Sequence, residues 1–192
     1  MSEHVNKKQR KHKRGSGKDR VLAAYVDILL ADGVAAATLD EVARQAEISK
    51  GGLLHHFPSK EDLNAGLMDL LVELNEADIE RTVAQGDDLI SAYLTSSSIA
   101  QDEYSSVFMA ALKLAGSNIP EVDRTLQQVL QSWHQTLLEH LPDPALAKIV
   151  HLIGDGLYLH AIVGSNPGNG VQELIQALEE LSEHKTDCGE DA

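Results

Sequence analysis

Apolar residues recur every three or four positions along most of this chain, and all five prolines (58, 120, 142, 144 and 167) fall between such runs. That spacing puts one apolar stripe on each of a series of helices, with proline confined to the connections. Val21, Tyr25 and Ile28, flanked by Leu22 and Leu29, predict a helix over 18–32. Leu63, Leu67, Leu70 and Leu74 predict one over 60–82, and Val122, Leu126, Val129, Trp133 and Leu137 one over 120–141. Val171, Leu174, Ile175, Leu178 and Leu181 predict a last helix over 168–184. No segment alternates in the sustained manner of a strand, and Ala, Leu, Glu and Gln dominate over aromatic residues, so the expected fold is all-α. No internal repeat is visible.

Local signals mark the ends of these helices. Thr38 followed by Glu41 forms a capping-box pattern, and Ser59 with Asp62 a weaker one. Asp143-Pro144 supplies a cap and a proline at the first helical position, and Asp32-Gly33 ends the first helix.

A chain of 192 residues buries a sizeable core without disulfides. The single cysteine, Cys188, stands in a polar tail and fits a reducing cytosol. No apolar segment of a secretory signal follows the N-terminus, and the apolar run Ile149–Val163 is short for a membrane crossing.

The formal net charge of −14 argues at first against a nucleic-acid partner. Its distribution reverses that reading. Residues 1–20 hold Lys7, Lys8, Arg10, Lys11, Lys13, Arg14, Lys18 and Arg20 against Glu3 and Asp19 alone. Residues 1–60 carry a net +4, while residues 61–192 have 5 basic and 23 acidic side chains. The two parts are electrically opposite.

Residues 38–60, TLDEVARQAEISKGGLLHHFPSK, fall in the positive part. Two short helices are predicted, 39–46 and 50–56, the first capped by Thr38 and the second by Ser49. Val42, Ala46, Ile48 and Leu53 are spaced to pack across a tight turn, and Ala43 is small enough for close approach. A helix-turn-helix lays the first residues of its second helix in a major groove. Lys50 is then placed to donate to guanine. Gly51 and Gly52 let a helix N-terminus approach DNA, and His55 and Lys60 flank it toward phosphates. Helix pairs of this kind also occur as plain packing units, and a Gly-Gly step also marks loops.

The run Thr38-Leu-Asp-Glu-Val-Ala, then Ile48-Ser-Lys-Gly51-x-Leu53, then His56-Phe57-Pro58-Ser59-Lys60-Glu61-x-Leu63 resembles the N-terminal domain of the tetracycline-repressor (TetR) family of transcriptional regulators. The resemblance covers residues 18–68 and implies about nine helices in two domains. These are a helix-turn-helix domain over 18–64 and a larger helical ligand-binding and dimerisation domain over 65–184. A basic arm (1–17) and a tail (185–192) flank them, both expected to be disordered. The resemblance also implies a homodimer that reads a palindromic operator in double-stranded DNA and is released by a small-molecule effector. It assigns DNA-proximal positions to Thr38, Ser49, Lys50, Gly51, Gly52, Leu54, His55, His56 and Lys60. His56 fits a packing role equally well. Three residues depart from the family pattern. Glu47 stands where glycine is usual, Leu54 and His55 where tyrosines are common, and Gly52 where Ser or Thr is usual.

The remaining residues are expected to dimerise and sense. Residues 144–164 are apolar nearly all round, and with 168–184 they are assigned to the dimer interface. Gly154, Gly156 and Gly164 would permit close crossing there, or Gly154-Asp155-Gly156 would instead kink the helix. His151 and Asp155 form an i, i+4 pair that fits a hydrogen-bonded network better than a metal site, which would need a third ligand such as His134, His140 or His160. Phe108, Met109, Trp133 and His134 are candidates for the ligand cavity, or else plain core. A cationic effector would suit so acidic a domain, but acidic surfaces also serve solubility and keep this part off DNA, and the sequence does not name the effector. No catalytic constellation, metal site, cofactor or membrane association is expected. The rival readings are a sequence-indifferent DNA-binding protein and, less well supported, an all-α enzyme.

Overall fold

The computed structural model describes residues 16–86, 88–99, 102–165 and 170–187. Most of the basic arm (1–15) and the end of the tail (188–192, with Cys188) lie outside the described residues, as do 166–169, which include the first two positions of the expected last helix (168–184). Among the described residues there are nine helices and no strand: α1 (Gly17–Ala31), α2 (Leu39–Gln45), α3 (Lys50–His56), α4 (Lys60–Val83), α5 (Leu89–Ser97), α6 (Glu103–Leu114), α7 (Pro120–His140), α8 (Pro144–Ile162) and α9 (Gly170–Asp187). Contacts divide the chain after Leu63 into two compact units, so that α4 begins in the first and continues into the second.

In the first unit α1, α2 and α3 all pack on one another. Val21, Tyr25, Ile28 and Leu29 of α1 are almost fully buried together with Val42, Leu53 and Leu63. Ser16 starts α1 with a reciprocal capping box: its hydroxyl accepts from Asp19 N–H at 3.3 Å, and Asp19 accepts from Ser16 N–H at 2.8 Å. Thr38 supplies only half of the expected box on α2. Its Oγ1 accepts from Glu41 N–H at 3.2 Å, but the Glu41 carboxylate turns away to Arg44, whose Nε donates to it at 2.9 Å. A guanidinium one turn ahead competes better for a carboxylate than a backbone amide does.

The turn from α2 to α3 is a Schellman motif. Ile48 N–H donates to Ala43 C=O at 3.1 Å, Glu47 N–H to Arg44 C=O at 3.3 Å, and Glu47 has φ +55°. The left-handed position expected at Glu47 is therefore occupied by a residue with a Cβ.

In the second unit α8 packs on α5 and α7, α9 on α5, and α6 on α7. Leu94, Leu137, Ala147 and Val150 are fully buried in its core. A Cβ built on Gly154 would lie 2.4 Å from the Tyr93 ring, so this glycine lets α8 cross α5 within one chain. That corrects the expectation that Gly154 serves a crossing between subunits. Gly164 has φ +74° and ends α8, whereas Gly156 has open space around it. By length and composition α8 would reach across a bilayer. Leu146, Ala147, Val150 and Leu157 instead join the core of this unit.

Replacing Glu47 by Gly should raise stability by about 0.5–1 kcal/mol, the relief of left-handed strain less the added freedom of the unfolded chain. Thermal unfolding of the full chain tests this. An unchanged or lower midpoint would mean that the turn carries no strain.

Candidate nucleic-acid interface and internal cavity

The first turns of α2 and α3 are built alike. Thr38 caps α2, and Ser49 caps α3 by accepting from Gly52 N–H at 3.0 Å. Capping consumes one of the free amides of each helix end and leaves others unpaired within the helix. Among the predicted site residues, Thr38, Ser49, Lys50, Gly51, His55 and His56 are exposed, while Gly52, Leu54 and Lys60 are half-buried.

A Cβ added at Gly51 would have nothing within 4 Å, and the residue has no positive φ. Glycine inside a helix costs about 0.5–1 kcal/mol relative to alanine. Neither packing against the described residues nor backbone geometry accounts for it. Gly52 is different, because a Cβ there would press on the capping hydroxyl of Ser49 at 3.2 Å.

Lys50 is the only Lys or Arg of α3, and its ammonium pairs with Asp40 of α2 at 2.8 Å. Both side chains are more than half exposed, and an exposed pair of this kind contributes about 0–1 kcal/mol, little enough for a phosphate or base edge to displace. Asp40 was not among the sequence candidates; a carboxylate ten residues away gives no local signal of this pairing.

Two candidates are placed differently from expectation. Lys60, expected to flank the helix toward a phosphate, donates instead to the Ala37 carbonyl and lies 4.1 Å above the centre of the Tyr25 ring. It thus ties the start of α4 to α1 and to the residue preceding the Thr38 cap. Burial pushes its ammonium down to about 8. His56 lies against the first turn of α1: a Cβ on Gly17 would come within 2.6 Å of His56 Nε2. Its ring is also 5.4 Å, edge-on, from that of His55. His56 thus stands beside α1 while remaining exposed.

The second unit holds a cavity of about 220 Å³. Phe108 and Trp133 line it, with Tyr93, Tyr104 and Tyr158. Met109 and His134 do not line it; the His134 ring packs on that of His151 at 5.2 Å. Five of the seven Phe, Trp and Tyr residues of the chain thus face one space, a concentration that helical periodicity cannot reveal because it marks all of them simply as core.

Polar groups also converge on the cavity. From α4, Asp78 is joined to Arg81, and Asn75 accepts from Tyr104 O–H at 3.4 Å while donating to Ser132 Oγ at 2.9 Å. From α8, His151 Nε2 donates to the Leu130 carbonyl at 3.0 Å. A carbonyl only accepts, so this bond fixes the ring proton on Nε2. Nδ1 has no hydrogen-bond partner and faces Asp155 Oδ2 at 3.8 Å. The His151/Asp155 pair is therefore a juxtaposition at the cavity wall rather than a closed network. Burial raises the carboxyl groups of Asp78 and Asp155 above their ordinary range and pushes the Tyr158 phenol up to about 12, so the phenols remain neutral.

The position of Lys60 has a pH signature. Between about 8 and its ordinary value of 10.5 the folded state binds fewer protons than the unfolded one, so raising pH through that window favours folding. The stability of the wild-type chain relative to Lys60→Met should grow from pH 8 to pH 10 in thermal melts. A difference that stays flat or shrinks would contradict the burial of this ammonium.

Comparison with known proteins agrees with this architecture. Residues 21–66 match the family model for bacterial regulatory proteins of the tetR family, and residues 87–183 match that for the tetracyclin repressor-like C-terminal domain. No curated protein matches the chain in sequence. A transcriptional regulator from Rhodococcus sp. Rha1 is 26% identical, with a TM-score of 0.62 over 87% of this chain and 94% of its own. A TetR-family member from Streptomyces coelicolor A3 has a TM-score of 0.66 at 19% identity, covering 85% and 98% of the two chains. The multidrug binding protein EbrR, complexed with malachite green, has a TM-score of 0.64 at 19% identity with the same coverage. With a helix-turn-helix unit and a helical second unit each matched in order, the chain belongs to the TetR family of DNA-binding transcriptional regulators.

Proposed function

We propose that the chain is a ligand-responsive repressor that binds a palindromic operator as a homodimer in the cytoplasm and leaves it when a small molecule occupies the cavity. The observation that carries this reading is the exposed first turn of α3, where Ser49 caps the helix and Lys50 and Gly51 face solvent. Backbone amides at a helix N-terminus attract phosphate, and Lys50 has the reach for a base edge. Thr38, Gly52, Leu54 and His55 would border the contact.

Dimerisation through α8 and α9 is supported by Ile149, Leu152, Leu159 and Val163, which follow one face of α8 at helical spacing and are 47–68% exposed. Leu174 of α9 is exposed as well. An apolar stripe of this kind on a soluble chain calls for a covering surface, and a second copy supplies one by two-fold symmetry. Effector control is supported by the make-up of α4, which begins at Lys60 and carries Asn75, Asp78 and Arg81 to the cavity region. A ligand that prefers a shifted α4 would move the paired recognition helices away from the roughly 34–36 Å of one DNA turn. Nothing in this mechanism asks for a catalytic group, and the cavity residues are read as binding residues.

Selection from a random-sequence DNA pool, followed by competition against bulk DNA, tests the proposal. The full chain should prefer one palindromic site by at least about 10³-fold. Indifference to sequence would overturn it in favour of a general DNA-binding protein. On the selected site, Gly51→Ala should weaken binding at least ten-fold while raising stability by about 0.5–1 kcal/mol. Unchanged affinity would remove Gly51 from the interface.

A further inference from the structure

We propose that the cavity is built for an organic cation, an ammonium carried on a compact apolar or aromatic body, with its charged end at His151 and Asp155 and its body among the aromatic rings. This rests on the reading of the second unit as a ligand sensor and names the class of ligand it senses.

Four features of the cavity point the same way. The first is the imbalance of charge at its wall. Asp78, Asp102 and Asp155 line it against a single guanidinium, Arg81, which is already joined to Asp78. An anion entering here would meet carboxylates, with no free Lys or Arg among the lining residues to receive it.

The second is the unpartnered His151 Nδ1. This side chain is 6% exposed, and its other nitrogen is committed to the Leu130 carbonyl. In the neutral ring Nδ1 is a lone pair, and the group facing it 3.8 Å away is a carboxylate oxygen. Two acceptors facing each other call for a hydrogen-bond donor, and a positively charged one suits both.

The third is the aromatic lining. The Tyr93 and Trp133 rings are 4.6 Å apart, Phe108 and Tyr158 5.5 Å, and Tyr104 and Tyr158 6.3 Å. Ring faces carry negative electrostatic potential and attract cations, most strongly where water is excluded. The fourth is the cost of the empty state. Asp78 and Asp155 are partly stripped of water and resist ionisation for that reason, despite Arg81 near the first and His151 and Lys148 near the second. A bound cation restores the interaction that burial removed, whereas a neutral ligand of the same shape leaves it unmade. The volume, equal to about seven water molecules at roughly 30 Å³ each, sets the scale of a compact ion.

Trp133, the only tryptophan of the chain, lines the cavity and reports its occupancy by fluorescence. The full chain is titrated at pH 7 with phenylbutylammonium, phenylbutanol and phenylbutanoate, which share one body and differ in charge. The ammonium should bind at least ten-fold tighter than the alcohol, and the carboxylate weakest. Asp155→Asn should shrink the preference for the ammonium over the alcohol at least five-fold and leave the alcohol's affinity unchanged. The proposal is overturned if the alcohol or the carboxylate binds as tightly as the ammonium, if none of the three binds, or if a folded Asp155→Asn chain keeps the full preference. The comparison among probes on the wild-type chain needs no variant. DNA binding measured on the same samples separates the two readings. An ammonium that binds tightly yet leaves DNA affinity unchanged sinks the sensor reading and keeps the cation site. An alcohol that binds best and releases DNA does the reverse.

Discussion

Much of the first unit hangs on the left-handed turn at Glu47. Four residues separate α2 from α3, and in that space the chain must reverse enough for Val42 and Ala43 to meet Leu53. The Schellman bonds from Glu47 and Ile48 back to α2 close the last turn of that helix and aim the chain into the next. With Leu53 buried, helical geometry puts Gly51 and His55 on the outside of α3, while Lys50 stands exposed at its first position beside Asp40. Core packing and presentation of the recognition surface are two results of the same turn. Lys60 supports it from the other end, since its bond to Ala37 holds the residue before the α2 cap against the start of α4.

Elements whose cause is local were legible in the sequence. Ser49 and the apolar spacing place α3 at residues 50–56, Pro120 and the Asp143-Pro144 pair set the starts of α7 and α8, and Asp32-Gly33 stops α1. The α2–α3 motif was legible for the same reason, because turn, caps and packing residues all lie within twenty-three positions. What escaped depends on where a side chain points once distant segments meet. Lys60 looks like a surface cation until the Ala37 carbonyl and the Tyr25 face are beside it. Gly154 looks like an inter-subunit contact until Tyr93 of α5 is found against it. Tyr93, Tyr104 and Tyr158 come from three helices, and periodicity cannot distinguish a tyrosine that fills a core from one that borders a cavity.

The uneven charge of the chain acquires a structural meaning. The acidic excess lies after residue 60, in the part that contains the whole cavity, and three of those carboxylates reach its wall. Negative charge in the second unit keeps that surface away from a polyanion and, within the cavity, favours ligands of the opposite sign. The first unit carries the positive balance and the exposed helix starts. α4 is the covalent connection between them, and its residues serve both ends: Lys60 fixes the entry to α2, and Asp78 and Arg81 stand at the cavity. Under the proposed function, a single helix with residues in each unit offers ligand binding a route to DNA affinity, and linkage would then require DNA to weaken the ligand in equal measure.

The central claim is that the starts of α2 and α3 are the surface that meets DNA. Amide hydrogen exchange of the full chain, with and without a selected DNA site, tests it at the residues concerned. First-turn amides of a free helix lack intrahelical partners and exchange quickly. The account predicts that DNA slows exchange at residues 39, 40, 50 and 51, which stand outside the Thr38 and Ser49 cap bonds, and leaves α5 to α9 unchanged, apart from effects transmitted through α4. Protection confined to α5–α9, with residues 39, 40, 50 and 51 exchanging as fast as before, would contradict it.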